Sequence, residues 1–168
     1  VLEDVKVPKE NLLGELNKGF KVAMKTLDGG RLGVAAMSVG VAQSCLDEAI
    51  KYTKVRKQFG KALADFQNTK FTLADMATKL QAARELLYSA AEAKDRGENC
   101  SALVSMAKYY ASEICNELAA KALQLHGGYG YTKEYRIERL YRDCRVFTIF
   151  EGTSQIQQTV IARSLLKD

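Results

Sequence analysis

After Pro8 the chain contains no further proline. A proline ring inside a helix removes a hydrogen-bond donor and clashes with the preceding turn. The rest of the chain is therefore free of the strongest helix breaker, and it is rich in alanine, leucine, lysine and glutamate, which favour helix. Its length of 168 residues suits one domain with a substantial core. With 47% apolar and 27% charged residues, it has enough apolar surface to fold rather than stay disordered.

Residues 1–16 differ from the rest of the chain. Val1, Val5 and Val7 alternate with charges, and Pro8 and Gly14 punctuate the stretch, so an extended segment and a turn are expected. An isolated strand cannot form a sheet. The segment is either the end of a preceding domain or a simple N-terminal arm, and a first residue of valine suits a fragment of a longer protein.

From Asn17 to Val55 the apolar spacing is helical. Phe20, Met24, Leu27, Val34 and Val41 form one stripe, with Arg31 and Ser38 between them, while Leu32, Val39, Leu46 and Ile50 form another. A helix apolar on two sides packs inside a bundle or against a partner. Gly29-Gly30 conflicts with this reading, because each glycine costs about 1 kcal/mol against alanine. The pair marks either a break or a place where something approaches the backbone closely. Arg31 puts a charge on an apolar stripe, and a buried charge needs a partner. Asp28, three residues earlier, supplies one in an ion pair, or both residues serve a ligand.

A basic loop, Lys54-Val55-Arg56-Lys57-Gln58-Phe59-Gly60-Lys61, comes next. It is either a solvated turn or a grip for phosphate, which arginine can hold in bidentate fashion. A second helix runs from about Phe66 to Arg96, with Leu73, Met76, Leu80, Ala83, Leu87 and Ala90 at steps of three and four, the seam of a bundle. Asn99 or Ser101 can cap a third, carrying Leu103, Ala107, Tyr110, Ile114, Leu118 and Ala122. Gly127-Gly128-Tyr129-Gly130 ends it and leaves room for a ligand at the backbone. A fourth helix, about Glu134 to Asp143, has alternating charges and an exposed side.

The last is expected from about Ser154 to Leu166, with Ile156, Val160, Ile161 and Leu165. Ser154 and Gln157 have the spacing of a capping box. Glu151 then lies on the entry turn between apolar Ile149-Phe150 and Gly152. That position suits a base for a weakly acidic proton, or merely a glutamate favoured by the helix dipole. The expected fold is all-α: an antiparallel up-and-down bundle of three long and two shorter helices, preceded by a short extended segment.

The net charge of +5 admits nucleic acid, an anionic membrane surface or a phosphorylated small molecule as partner. The positive residues are scattered along helices and form no long run, which disfavours nucleic acid and leaves a phosphate-rich cofactor. Cys45, Cys100, Cys115 and Cys144 are far apart in sequence without C-x-x-C spacing, as in reduced, intracellular thiols. Neither they nor the lone His126 suggest a metal site. No apolar run is long enough to span a membrane, and no signal-peptide pattern opens the chain.

Three motifs stand in one order: Arg56-x-Gln58-Phe59-Gly60, then Gln124-x-x-Gly127-Gly128-Tyr129-Gly130, then Arg142-Asp143 followed by Glu151-Gly152-Thr153-Ser154-Gln155. Together they resemble the C-terminal helical domain of the acyl-CoA dehydrogenases. The resemblance covers essentially the whole chain. It makes residues 1–16 the end of the family's middle β-domain and linker, and 17–168 the C-terminal bundle. The family's N-terminal helical and middle β-domains are absent from the chain, so the isolated domain is expected to be inactive.

By this resemblance Glu151 is the base that removes the α-proton of a short-chain acyl-CoA thioester in fatty acid β-oxidation, while the β-hydrogen leaves as hydride to FAD. Such a proton is acidic enough only if donors hold the thioester oxygen as it gains charge. The family uses the N–H of the base residue, here Glu151, and a flavin hydroxyl. Arg56, Gln58, Phe59, Gln67, Gln124 and Gly128 match contacts to the FAD of a neighbouring subunit. Thr153 and Gln155 match contacts to the subunit's own FAD. Asp28 and Arg31 match positions along the CoA channel, and Gly152 lets the thioester approach. The resemblance further implies a homotetramer built as a dimer of dimers, and an electron-transfer flavoprotein as electron acceptor. The expected location is the cytoplasm in a bacterium or the mitochondrial matrix in a eukaryote, with no metal, nucleic acid or membrane insertion.

Some relatives carry the base on the first long helix, immediately before the arginine. That position here is Gly30, which points to the short-chain, butyryl type. Phe150 stands where tyrosine is usual, Arg136 where proline is common, His126 where an aromatic is common, and Val55 where many relatives have glutamate. The competing readings are a helical oligomerisation module that no longer catalyses, and a relative acting on another acyl thioester, aryl or dicarboxylic.

Overall fold

The computed structural model describes residues 1–167. The first helix, α1, spans Gly19–Val55. A two-residue hairpin follows, β1 (Lys57–Gln58) and β2 (Lys61–Ala62), antiparallel with Lys57 opposite Ala62 and Gln58 opposite Lys61. Helix α2 is Gln67–Asp95, α3 Ser101–His126, α4 Arg136–Cys144 and α5 Ser154–Leu165. The long-helix ranges agree with the apolar spacing to within two residues, and the bundle is all-α apart from the hairpin.

Helix α3 is the central post, packing against α1, α2, α4 and α5. The core lies where three seams meet: Val34, Ala35, Ala42, Cys45 and Ala49 of α1; Met76, Leu80, Ala83 and Ala90 of α2; and Val104, Ala111, Cys115, Leu118 and Ala122 of α3. Ile137, Leu140 and Cys144 of α4 close one side. Alanine at so many of these positions lets the helices approach closely, and the larger residues fill the gaps between them.

Cys45, Cys115 and Cys144, distant in sequence, are all buried, and all four cysteines are free thiols. Burial pushes the Cys45 thiol up to about 12, which keeps it a protonated, unreactive core residue.

Of the two readings of Gly29-Gly30, the break is excluded, since α1 runs through it without interruption. Other local expectations are corrected. The stripe positions Phe20 and Met24 are exposed, so the first turns of α1 stand clear of the bundle. Helix α3 is preceded by Cys100 with no side-chain cap, rather than by a capping Asn99 or Ser101.

At α5 the cap is Thr153, whose hydroxyl oxygen accepts from the Ile156 N–H at 3.4 Å. Ser154 and Gln157 form no capping box. They are the two residues that α5 buries, whereas Ile156 and Leu165 are exposed. Residues 1–16 precede the bundle as expected, without pairing into a sheet and with a single helical turn at Lys9–Asn11.

Candidate functional site

Two places gather the candidate residues. The first lies where the loop before α5 crosses α1 and α3. Glu151 has φ 54° and Gly152 φ 91°. This left-handed geometry is uncommon for a residue with a side chain. It swings the Glu151 carboxylate onto the face of α1 at Gly30. A methyl group at Gly30 would fall 2.8 Å from the carboxylate carbon, and closer still to Oε2. Gly30 thus marks a close approach, and what approaches is Glu151, whereas a methyl at Gly29 would meet only Lys94 Nζ, at 3.3 Å.

The loop is held from beneath. Lys108 of α3 is wholly buried, and its Nζ donates to the Gly152 carbonyl at 2.7 Å. Gln157, also wholly buried, donates from Nε2 to the carbonyls of Glu151 (3.1 Å) and Gly152 (2.9 Å). A Cβ at residue 152 would sit 2.7 Å from that same amide nitrogen, so glycine is required there for space as well as for φ. Ser154 Oγ donates to Glu113 Oε1 at 2.5 Å, tying the start of α5 to α3. Burial lowers the Lys108 ammonium from its ordinary range.

Beside the carboxylate, Arg31 is buried and pairs with Asp28 at 2.9 Å, and Ser101 donates to the same Asp28 oxygen at 3.4 Å. The ion pair is formed. Arg31 Nε nevertheless has no partner among the described residues. Phe150 is half-exposed and stacks on Phe147 at 5.9 Å between ring centres.

The second place is a cavity of about 510 Å³ between the end of α1, the hairpin and the end of α3. Arg56, Gln58, Gln124 and Gly128 line it together with Tyr52, His126 and Tyr129. The basic loop is therefore ordered: Phe59 (φ 51°) and Gly60 (φ 81°) form a two-residue hairpin turn, leaving Phe59 93% exposed at its tip. Arg56 lies over the Tyr129 ring at 5.1 Å. His126 stacks on Tyr52 at 4.2 Å, and its Nδ1 donates to the Ala122 carbonyl at 2.7 Å. Gln67 is the first, exposed residue of α2 and does not line this cavity.

Thr153 and Gln155 stand with the first place. Gln155 borders a smaller cavity with Glu113, Asn116, Arg145, Thr148 and Ser154. Of the eight residues expected to touch cofactor, Arg56, Gln58, Gln124 and Gly128 therefore share one cavity, Thr153 and Gln155 stand at the loop before α5, Phe59 is at the hairpin tip, and Gln67 joins neither place. Among the described residues no cluster could hold a metal ion, and no helix is long and apolar enough to cross a membrane.

The family model for the acyl-CoA dehydrogenase C-terminal domain matches residues 17–166. The chain belongs to the acyl-CoA dehydrogenase family. Among its relatives, the caffeyl-CoA reductase–Etf complex subunit CarC of Acetobacterium woodii is 69% identical over 99% of this chain and 44% of its own length. A 3-(aryl)acrylate reductase of Clostridium sporogenes is 58% identical with the same coverage. The solved butyryl-CoA dehydrogenase of Megasphaera elsdenii superposes with a TM-score of 0.97 at 47% identity, over 99% of this chain and 44% of that one. The chain thus spans less than half the length of these acyl-CoA dehydrogenase relatives.

The sequence motifs do not single out Lys108 and Gln157 as parts of this site. Lys108 occupies a core position between Val104 and Ala111, and a charge on an apolar stripe, as at Arg31, is the signal that marks it.

Proposed function

We propose that this chain is the C-terminal part of an FAD-dependent enzyme that interconverts acyl-CoA and α,β-enoyl-CoA thioesters, with Glu151 moving the α-proton. The observation that carries the reading is the seating of the Glu151 carboxylate at Gly30, in a loop whose backbone is anchored by buried side chains. A base works by being held where the proton will be. In dehydrogenation Glu151 takes the α-proton; in reduction it returns one. The Glu151 N–H would hold the thioester oxygen as charge develops. Asp28 and Arg31 would border the CoA, and Gly152 would leave room for the thioester.

FAD, when bound, supplies the acceptor or donor of the β-hydrogen as hydride. The residues fit such a group. Arg56 offers a guanidinium for its phosphates, Gln58 and Gln124 offer amides, and all three line one cavity with Gly128, beside exposed Phe59. Thr153 spends a lone pair on its cap and keeps its hydroxyl proton to donate. Thr153 and Gln155 stand apart from that cavity, and a homo-oligomer in which a second copy of the chain completes the site would accommodate this. An electron-transfer flavoprotein as redox partner is supported by the Etf complex named for the Acetobacterium relative.

A small linear acyl chain, as in the butyryl-CoA dehydrogenase, is the first substrate class. A second has a specific observation behind it: the relatives at 69% and 58% identity are named as reductases of caffeyl-CoA and of aryl acrylates. Phe150, an aromatic without a hydroxyl next to the base, suits an aryl group equally well.

The test uses the full-length, flavin-loaded protein without oxygen. Butyryl-CoA and a 3-arylpropanoyl-CoA are added separately while the oxidised flavin absorbance is followed, with Glu151→Gln alongside. Bleaching in the parent and not in the variant is expected, and the faster thioester names the substrate class. Equal bleaching in the variant removes Glu151 from the role of base.

A further inference from the structure

We infer that Lys108 is a positioning residue which, together with Gln157, holds the left-handed hinge at Glu151–Gly152 and so seats the base. The inference rests on the reading of Glu151 as the base. Lys108 is the largest wholly buried side chain in the bundle, and it makes no ion pair among the described residues. Its hydrogen bond runs to the Gly152 carbonyl. An ammonium group buried without a carboxylate in contact is costly. A methionine would fill the same space at no such cost, so packing alone does not account for a lysine here.

What the lysine adds is a charge-assisted hydrogen bond, stronger than a neutral one, to the second of two consecutive left-handed residues. Gln157 adds two more bonds to the same pair of carbonyls. With both carbonyls drawn inward, each trans peptide turns the next N–H the opposite way, so those of Gly152 and Thr153 point away from Lys108 and Gln157. The hinge is thereby kept in a backbone region that Glu151 would otherwise leave. Seen from Lys108, the charged groups nearby are Arg31 on α1, Glu113 on its own helix and Glu151 itself. Glu113 is exposed, so removing the lysine strands no buried carboxylate.

The experiment takes Lys108→Met and Gln157→Leu in the full-length protein, with and without flavin. Amide hydrogen exchange of the segment 149–157 is followed by mass spectrometry, thermal unfolding is recorded, and kcat and KM are measured separately. For Lys108→Met the expected results are exchange about tenfold faster in that segment and a Tm equal to or above the parent's. kcat should fall about 100-fold with KM within about threefold. Gln157→Leu should show the same loosening, and it serves as the test should Lys108→Met fail to fold.

Unchanged exchange in the segment overturns the inference, whatever happens to kcat. Faster exchange with undiminished kcat overturns the seating role of Lys108, whereas the role of Glu151 itself falls only if Glu151→Gln still bleaches the flavin, so the two readings fail separately. A Lys108→Arg variant that restores exchange protection and part of kcat would identify the charge as the operative feature.

Discussion

Glu151–Gly152 and Phe59–Gly60 share one unusual backbone: in each, a residue with a large side chain at φ near 50° precedes a glycine that is also left-handed. Their surroundings differ in kind. At Glu151 two wholly buried side chains pin the carbonyls, and the carboxylate has one niche, against Gly30. At Phe59 the turn is held by a two-residue ladder, and the ring projects into solvent with an edge contact to Phe66 at 6.5 Å. The first is determined by the chain's own interior. The second displays a side chain that nothing among the described residues covers. On the proposed roles, the group that would meet a proton is fixed by the core, while the group that would grip the cofactor is fixed only as far as its turn requires.

Substitutions at the two places should separate along that line. The largest effect is expected from Glu151→Gln in the full-length protein, with α-proton exchange of the thioester slowed about 1,000-fold and flavin content unchanged. Exchange of the α-proton by NMR measures it. Gly30→Ala puts a methyl into the carboxylate's niche and should cost about 100-fold in kcat while the helix itself gains propensity. Retained activity there would break the claim that Glu151 is seated rather than free.

At the other end, Phe59→Gly should leave thermal stability within about 1 kcal/mol, because relief of left-handed strain offsets the freer unfolded chain. Flavin retention should weaken about tenfold, read by equilibrium dialysis. A change in kcat without a change in flavin retention would collapse the contrast between the two places.

The smallest effect concerns neither place and serves as a baseline. Asp75, Lys79, Glu117 and Lys121 form a partly exposed network between α2 and α3. Hydrogen bonds from Lys121 and Lys79 hold the Glu117 and Asp75 carboxyls below their usual range. Their folded-state values are depressed. The stabilisation is therefore complete above the ordinary carboxylate range and is lost as the pH falls through the depressed values. Glu117→Gln should lower Tm slightly at pH 7, and the difference from the parent should vanish at strongly acid pH and shrink in high salt.

The long helices are legible in the sequence because steps of three and four recur over many turns, and Met76, Leu80, Ala83, Leu87 and Ala90 are buried as that spacing requires. The spacing in α5 also suggests an apolar face, yet Ile156 and Leu165 lie open because nothing among the described residues packs on them. The cap of α5 falls one residue earlier than the sequence suggests, since Thr153 and Ser154 are chemically equivalent as caps and only the backbone distinguishes them.

The double glycine is legible as an exception but not as a contact, because the group that approaches it comes from the far end of the chain. Lys108 escapes for a related reason. The spacing of the third helix can be phased on Leu103 and Tyr110, which are only partly buried, while the fully buried line runs through Val104, Lys108, Ala111 and Cys115. Local spacing reports that a face is buried, and it blurs which of two adjacent residues carries the burial.

Gly30 and Glu151 claim the same small volume, and this bears on how the site can be inherited. The two positions are not free to vary independently. A descendant that acquired a carboxylate at residue 30 while keeping the one at residue 151 would force two like charges and a steric overlap into a single niche. With Glu151 as the proposed base, one that lost the carboxylate at 151 first would pass through a form with no base. On that reading, relocating the base from loop to helix calls for paired change. The missing side chain of one glycine thus couples two positions that lie far apart along the chain.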